Sequence, residues 1–243
     1  MHNMWHVPKI WQGGDVWIIG GGPSLTKQFN IPDDIVESVR NGTSPLSAYS
    51  PYMSAIHDKH VIGVNVAFMI GDWIDMVFFG DGGFFLQHMN QLAAFPNLRI
   101  GAHNKAAKSR WVKYLARQRG KKYGISTSSS HVCWNENSGA AAISVAAHAG
   151  AKRIILVGFD MSLDEKQKHH WHGVYRKGGI APSNTKVKRG KVINNVPFHR
   201  HLAGFPQIKK DASKLGIEII NACPESKIEC FRKTTVKDIL NGY

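Results

Sequence analysis

The chain has 243 residues, of which 43% are hydrophobic, and its 31 Lys and Arg against 17 Asp and Glu give a formal net charge of +14. This length allows one substantial buried core, and no apolar run reaches the roughly 18–20 residues that a membrane-spanning helix requires. The first residues, from Met1 to His6, lack the charged start and apolar segment of a secretory signal. These features argue against a membrane-spanning or secreted chain and predict a cytoplasmic globular protein.

Continuous apolar strands alternate with helices along the sequence. Strands are predicted at Asp15–Gly20, His60–Asn65, Met76–Gly80, Leu98–Ala102, Arg153–Gly158 and Ile217–Ile220. Helices are predicted at Asp33–Arg40, Gly82–Ala94, Lys105–Arg119, Ser138–Ala149, Phe198–Leu215 and Thr235–Leu240. Strands that are apolar throughout are typical of a parallel sheet covered on both faces. The sequence therefore predicts an α/β fold, in which residues 1–243 form a single Rossmann-like domain with a mostly parallel sheet and helices on both faces.

The stretch from Met161 to Pro197 is polar, basic and too long for an ordinary connection between a strand and a helix. Loops of this length are usually binding segments, covers over an active site or disordered. We predict that residues 161–197 form a basic lid or an acceptor-binding insertion.

Two glycine-containing turns are the best candidates for a ligand site. The first strand runs into Gly20, Gly21, Gly22, Pro23 and Ser24. The helix predicted near residue 138 is preceded by Asn137 and opens with Ser138 and Gly139, while Asn65 and Asp81 follow two other strands. Glycines let a ligand approach backbone amides, and ligands of parallel sheets bind beyond the carboxyl ends of the strands. These ten residues are therefore predicted to bind a nucleotide.

The glycine turn belongs to neither of the two common phosphate-binding motifs. It lacks the third glycine of the dinucleotide-binding fingerprint and the Gly-Lys-Ser/Thr of the P-loop. No Asp-x-Asp pair is present to hold Mn²⁺ or Mg²⁺ against a diphosphate. We therefore expect no metal and no tightly bound cofactor, with the nucleotide acting as a substrate.

The positive charge is concentrated in two blocks. Nine Lys and Arg lie between Arg99 and Lys122, and eleven lie between Lys166 and Lys210, and neither block contains an acidic residue. Such blocks favour a polyanionic partner, here DNA, although a solvated basic surface is the alternative. The residues predicted to contact nucleic acid are Arg110, Lys113 and Arg117 on one helix, and Lys186, Lys188 and Arg189 in the predicted lid.

The motifs resemble those of two related enzyme groups. Gly20-Gly-Gly-Pro-Ser-Leu25 after the first strand is similar to the opening of the Campylobacter-type sialyltransferases and of the archaeal 6-hydroxymethylpterin diphosphokinases. Ser138-Gly139, the alanine-rich helix and Arg153-Ile-Ile-Leu-Val-Gly-Phe-Asp160 resemble a sialyltransferase block, and Asn65 and Asn221–Ser226 fit the same order. The chain is also similar to uncharacterised tailed-phage proteins, which implies the host cytoplasm if it is phage-encoded.

The sialyltransferase resemblance implies a glycosyltransferase with a nucleotide-activated sugar as donor. It implies a histidine base in the lid region, either His170 or His172, and places Asp160 among the catalytic residues. The basic blocks favour a hydroxylated base in phage DNA as the acceptor. A Mg²⁺-dependent diphosphokinase, with the metal on Asp81 or Asp160, and a nucleotide- or nucleic-acid-binding protein without catalysis remain alternatives, as does zinc at the two histidines. The oligomeric state is left open.

Overall fold

The computed structural model describes residues 4–176, 185–188, 191–194 and 198–242, with backbone alone for 176, 185–188 and 191–194. Twelve strands occur in these ranges. They are β1 Asp15–Ile19, β2 His60–Val64, β3 Met76–Phe79, β4 Leu98–Gly101, β5 Lys113–Tyr114, β6 Ala116–Arg117, β7 His131–Val132, β8 Arg153–Val157, β9 Thr185–Lys188, β10 Lys191–Asn194, β11 Glu218–Asn221 and β12 Arg232–Lys233.

Eight of these strands form one sheet in the order β12-β11-β8-β1-β2-β3-β4-β5. Every neighbouring pair in this sheet is parallel. The outermost strands, β12 and β5, have two residues each. The predicted α/β class and parallel sheet are confirmed, and the order places β1 at the centre, between β8 and β2.

Nine α-helices surround the sheet in the described part of the chain. They are α1 Ser24–Gln28, α2 Asp33–Asn41, α3 Gly82–Gln87, α4 Met89–Ala94, α5 Asn104–Ala107, α6 Ser138–His148, α7 Phe198–Leu202, α8 Phe205–Leu215 and α9 Val236–Leu240. Three 3₁₀ helices span Leu46–Ile56, Asn65–Ile70 and Val174–Arg176. None of the described helices is long and apolar enough to cross a bilayer.

The helices cover both faces of the sheet because alternate residues of each strand point to opposite sides. On one face, Trp17 and Ile19 of β1 pack with Val36 and Val39 of α2. On the other face, Val16 and Ile18 of β1 pack with residues of α6 and α8. The two faces therefore have separate apolar cores, and both faces are covered as predicted.

The prediction of a helix at Lys105–Arg119 is wrong. Only α5 is helical there, and the chain then extends into β5 at the edge of the sheet and into β6, which pairs with β7. Leu115 is buried, and its amide donates to the Gly101 carbonyl at 3.0 Å. Pairing with β4 outweighed the helical spacing of apolar residues, so Arg110, Lys113 and Arg117 do not share a helix face.

Two other predicted helices are interrupted. The helix predicted at Gly82–Ala94 breaks into α3 and α4 at His88, whose backbone has φ −112° and ψ 20°. The helix predicted at Phe198–Leu215 divides into α7 and α8 around Gly204. At the first of these interruptions, the His88 side chain is buried against Phe84, with 4.8 Å between the ring centroids.

Candidate active site

The candidate site lies at the carboxyl end of β1, beside β8, and the next strands of the sheet along the chain, β2 and β11, lie on opposite sides of this pair. The Gly20 amide donates to the Val157 carbonyl, and the Gly22 amide donates to the Gly158 carbonyl, each at 2.8 Å. A crevice at such a reversal of strand order is the usual ligand site of open α/β sheets. A cavity of ≈320 Å³ opens there.

This cavity brings together most residues that the sequence predicted for the nucleotide. Its lining includes Gly20–Gly22, Asn65, Asp81, Asn137–Gly139, Asp160 and the histidines at 170 and 172. Pro23 and Ser24 lie beyond Asp160, in a neighbouring cavity of ≈370 Å³ that shares Asp160 and Ser162 with the first.

Asp160 holds the glycine turn in place. Its Oδ1 accepts from the Ser24 amide and its Oδ2 accepts from the Ser24 hydroxyl, both at 2.9 Å. A Cβ on Gly22 would lie 1.9 Å from Oδ2, so this contact requires glycine. Burial raises the pKa of Asp160 against the lowering effect of the Ser24 hydrogen bonds. The contacts give Asp160 a positioning role at the turn, beside the catalytic role predicted from the sequence.

Trp171 anchors the described start of the predicted lid to the same turn. Its side chain is fully buried, and its Nε1 donates to the Gly20 carbonyl at 2.8 Å. Its backbone amide donates to the Gly21 carbonyl at 3.2 Å, and its own carbonyl accepts from the Tyr49 hydroxyl at 3.0 Å. Residues 161–176 are thus part of the packed structure around the cavity.

A shielded ion pair holds this segment to α2. Arg40 Nη2 lies 2.9 Å from Asp164 Oδ2, and the two side chains are only 11% and 14% exposed. Asp164 Oδ1 also accepts from the Lys168 amide at 2.7 Å. The backbone of Gly173 passes so close to Arg40 that a Cβ would lie 1.9 Å from the Arg40 carbonyl oxygen. The start of the predicted lid is therefore fixed at several points before it reaches residue 177.

His170 and His172 stack on each other at the wall of the cavity. Their ring centroids are 5.0 Å apart with 8° between the planes, and Tyr175 meets both rings edge-on. His170 Nδ1 lies 3.2 Å from the Gly21 carbonyl oxygen. Because a carbonyl can only accept, Nδ1 carries the proton, and Nε2 of the neutral ring retains its lone pair. Nδ1 of His172 is buried and makes no hydrogen bond to the described residues.

Burial keeps these histidines neutral. Burial is the main reason that the pKa of His170 falls to about 4; the Gly21 hydrogen bond opposes this lowering, and the nearby His169 and His201 add to it. Burial also lowers the pKa of His172, with contributions from His170 and His88. The pKa of His201 falls to about 4, mainly through burial. At neutral pH the cavity wall is therefore uncharged at these rings.

The lowered pKa of His170 predicts a loss of stability in mild acid. Since the unfolded chain takes up a proton below about pH 6.5 and the folded protein only near pH 4, the free energy of unfolding should fall over this interval. His170 alone contributes a loss of about 2 kcal/mol at pH 5, from 1.4 kcal/mol per pKa unit. Urea unfolding at pH 7 and pH 5 measures it. His170→Asn should show a smaller difference between the two conditions, and an equal difference would contradict the assignment.

Asn137 caps the first turn of α6. Its Oδ1 accepts from the amides of Gly139 at 2.8 Å and Ala140 at 3.3 Å. Two of the amides that the sequence offered to a phosphate are therefore satisfied within the protein. Ser138, at the first position of the helix, remains half-buried on the cavity wall.

Asn65 and Asp81 lie at the ends of β2 and β3, as predicted. Asn65 adopts a positive φ of 53°, and its Oδ1 is buried without a hydrogen bond to the described residues. Asp81 is exposed and caps α3, with its Oδ1 accepting from the Gly83 amide at 2.6 Å. The amide side chain of Asn65 is thus available to a ligand, whereas Asp81 also has a local structural role.

The described wall of the cavity contains acidic residues, Asp81, Glu136 and Asp160, but no Lys or Arg. A phosphate bound to this part of the wall would depend on amides, hydroxyls and histidines. Of the basic residues predicted for the lid, Lys186 and Lys188 are described by backbone alone, and Arg189 lies outside the described residues.

Several site residues were not predicted from the sequence. His169, His201, Tyr175 and Trp134 line the cavity, and buried His88 contributes to the lowered pKa of His172. Only His169 had a visible signal, since it belongs to the His169-His-Trp-His cluster. Among the described residues, no group of three or more His, Cys, Asp or Glu is arranged to hold a metal ion.

No protein-family model matches the chain, and no curated protein matches it either. Among solved structures it is similar to the sialyltransferase CstII from Campylobacter jejuni in complex with cytidine 5′-monophosphate, at 14% identity and a TM-score of 0.43, over 90% of this chain and 84% of that chain. The complex of that enzyme with CMP-3FNeuAc gives 16% identity and a TM-score of 0.45 over the same shares. A variant of it bound to CMP gives 16% and 0.49, over 90% and 86%.

Proposed function

We propose that this protein is a glycosyltransferase that uses a nucleotide-activated sugar, with the nucleotide lying across Gly20–Gly22 and Asn137–Gly139. The acceptor hydroxyl attacks the anomeric carbon, the bond from that carbon to the phosphate oxygen breaks, and the nucleotide leaves. The proton of the hydroxyl passes to a histidine. No tightly bound metal or cofactor is part of this proposal.

The observation that carries the proposal is the hydrogen bond from His170 Nδ1 to the Gly21 carbonyl. It connects a neutral imidazole to the glycine turn and leaves Nε2 as the proton acceptor. A base with a pKa near 4 is weak, but it remains unprotonated and available throughout the neutral range. We therefore assign the role of base to His170 rather than to His172, whose ring stacks on that of His170.

The proposed acceptor is a hydroxylated base in DNA, and the support for it is charge. The block from Arg99 to Lys122 contains nine cations and no acid. Lys105, Arg110 and Lys113 from this block are exposed. A base that reacts in a cavity of this size must be single-stranded or flipped out of the duplex. If the protein is phage-encoded, this reaction takes place in the host cytoplasm.

A panel of nucleotides and nucleotide sugars, tested by thermal shift in the absence of metal, examines the donor half of the proposal. DNA incubated with the best donor is then digested and analysed by mass spectrometry for a sugar-sized mass increase. Turnover of ATP that requires Mg²⁺, without sugar transfer, would favour the diphosphokinase alternative. Binding without any transfer would favour a non-catalytic protein.

Substitutions at the two turns test the position of the nucleotide. We expect Gly21→Val and Ser138→Trp each to abolish binding of CMP or UDP while leaving the protein folded. A Cβ on Gly21 already lies 2.9 Å from His170 Nδ1, and an indole at Ser138 would occupy the cavity. Gly21 is not among the glycines with positive φ, so the backbone tolerates a side chain there.

Titration calorimetry measures the affinity, and circular dichroism with thermal unfolding checks the fold. Ser138→Ala is the matched control, because it keeps the helix start without filling the cavity. Unchanged nucleotide affinity in both large variants would remove this site from consideration.

A further inference from the structure

A second, smaller pocket adjoins the candidate active site. It has a volume of ≈260 Å³ and shares Asp81 and Trp134 with the main cavity. Its other side chains that bear polar groups are His103, Lys105 and Arg117. The nucleotide residues proposed above, apart from Asp81, do not line it, so the glycine turns do not account for its charge.

Arg117 is held in a fixed orientation at this pocket. Its Nε donates to the Ala102 carbonyl at 3.1 Å, and its Nη2 donates to the Gly80 carbonyl at 2.6 Å. The guanidinium carbon lies 3.7 Å from the ring centroid of Trp134. Within the described residues Nη1 makes no hydrogen bond, and the side chain remains exposed. A guanidinium fixed in this way loses little conformational entropy when it binds an anion.

The remaining polar groups of the pocket are mostly donors as well. His103 Nδ1 accepts from the Lys105 amide at 3.1 Å, so the neutral ring carries its proton on Nε2. Lys105 adds an ammonium group, and in the described part of the chain it forms no ion pair with a carboxylate. Among the described lining residues, Asp81 is the one carboxylate, against two permanent cations. This donor set suits a phosphate better than a neutral sugar.

We propose that the pocket binds a backbone phosphate of a single-stranded nucleic-acid acceptor, whose neighbouring hydroxylated base enters the main cavity past Asp81 and Trp134. This inference rests on the proposed function. A polymer is favoured over a small anion because exposed cations continue along the chain beyond the pocket, at Lys108, Arg110, Lys113 and Arg119. The sequence predicted that Arg117 contacts nucleic acid from the face of a helix. In this proposal Arg117 contacts it from the small pocket, between the exposed cations and the main cavity.

The test compares a trinucleotide, which carries backbone phosphates, with the mononucleotide CMP, which probes the donor site. Fluorescence anisotropy measures binding of a labelled thymidine trinucleotide, and calorimetry measures binding of CMP. Arg117→Met keeps the packing on Trp134 without the charge, and it should weaken trinucleotide binding about 10- to 100-fold. The slope of log affinity against log salt should fall in magnitude by about 0.7. The affinity for CMP should stay unchanged.

Two further variants complete the design. Lys105→Met should weaken trinucleotide binding in the same direction, and it tests the pocket even if Arg117→Met fails to fold. Lys237→Met, an exposed lysine on α9, is the control and should leave trinucleotide binding unchanged.

Three results would overturn the inference. One is trinucleotide binding that is unaffected by both pocket variants, and another is an equal loss of CMP affinity, which would place the pocket in the donor site. The third is tighter binding of sialyllactose, a carboxylated glycan, than of the trinucleotide. If wild-type protein fails to bind CMP yet loses trinucleotide affinity on Arg117→Met, the donor proposal fails while the phosphate pocket stands.

Discussion

His170→Asn should reduce sugar transfer by about 10²- to 10⁴-fold, the usual contribution of a general base, while nucleotide affinity stays within about threefold of wild type. The amide nitrogen of asparagine can take the place of Nδ1 and donate to the Gly21 carbonyl, so the turn keeps its hydrogen bond. Asparagine has no nitrogen that accepts a proton near neutral pH. Single-turnover assays with saturating donor measure the transfer step directly.

His172→Asn is the matched variant for this test. It removes the second ring of the stacked pair but leaves the His170 hydrogen bond to Gly21 intact. We expect a smaller loss of transfer than for His170→Asn. In wild type the rate should be flat between about pH 5.5 and 8, because the pKa of His170 lies near 4. A larger loss at His172, or a rate that falls below pH 6.5, would transfer the role of base away from His170.

Trp171→Ala should lower the free energy of unfolding by about 3–5 kcal/mol, as expected for the loss of a fully buried aromatic side chain. It leaves a cavity in the core and removes the donor to the Gly20 carbonyl. The Trp171 amide and His170 Nδ1 both hydrogen-bond to the Gly21 carbonyl, so loss of the indole should also disturb the glycine turn. Nucleotide affinity should therefore fall in the fraction of protein that remains folded. Chemical denaturation measures the first effect, and calorimetry at low temperature measures the second.

Trp171→Phe separates packing from hydrogen bonding, because it fills most of the cavity but has no N–H group. It should lie between wild type and Trp171→Ala in stability. Trp111→Ala, at a half-buried indole away from the glycine turn, serves as the control and should cost less. A loss below about 1 kcal/mol for Trp171→Ala would mean that residues 161–176 are not anchored through this side chain.

The fold was predictable where local pattern and tertiary contact agree. The apolar run at residues 16–20 and the small-residue helix after Asn137 are recognisable because residues 16–20 and 139–146 are all buried. The segment at 105–119 was not predictable, since its helical spacing is real but its backbone hydrogen bonds go to Gly101, Ser130 and Val132. Such contacts depend on where strands distant in the sequence lie, and the spacing of apolar residues does not predict this.

The candidate site shows the same division. Position at strand ends was enough to predict that the glycine turn and Asn65 lie close together, because the carboxyl ends of parallel strands meet on one side of the sheet. The contacts of Asp160 with Ser24, 136 residues earlier in the chain, are not encoded in any local motif. No periodic pattern of apolar residues surrounds Trp171. The sequence therefore could not show whether Trp171 is buried in the core or exposed in a basic loop.

The two-residue strands at the ends of the large sheet affect how the protein behaves at high concentration. An exposed edge strand offers unpaired backbone groups to which a second molecule can add a strand, and this is a common route to aggregation. Here each edge offers only a short stretch, and each carries cations, Lys113 at one end and Arg232 and Lys233 at the other. Because Arg232 and Lys233 are paired with Glu218 and Glu229, the short length of the edges matters more than their charge. Strand-to-strand addition would gain few hydrogen bonds, so the sheet itself opposes polymerisation through its edges.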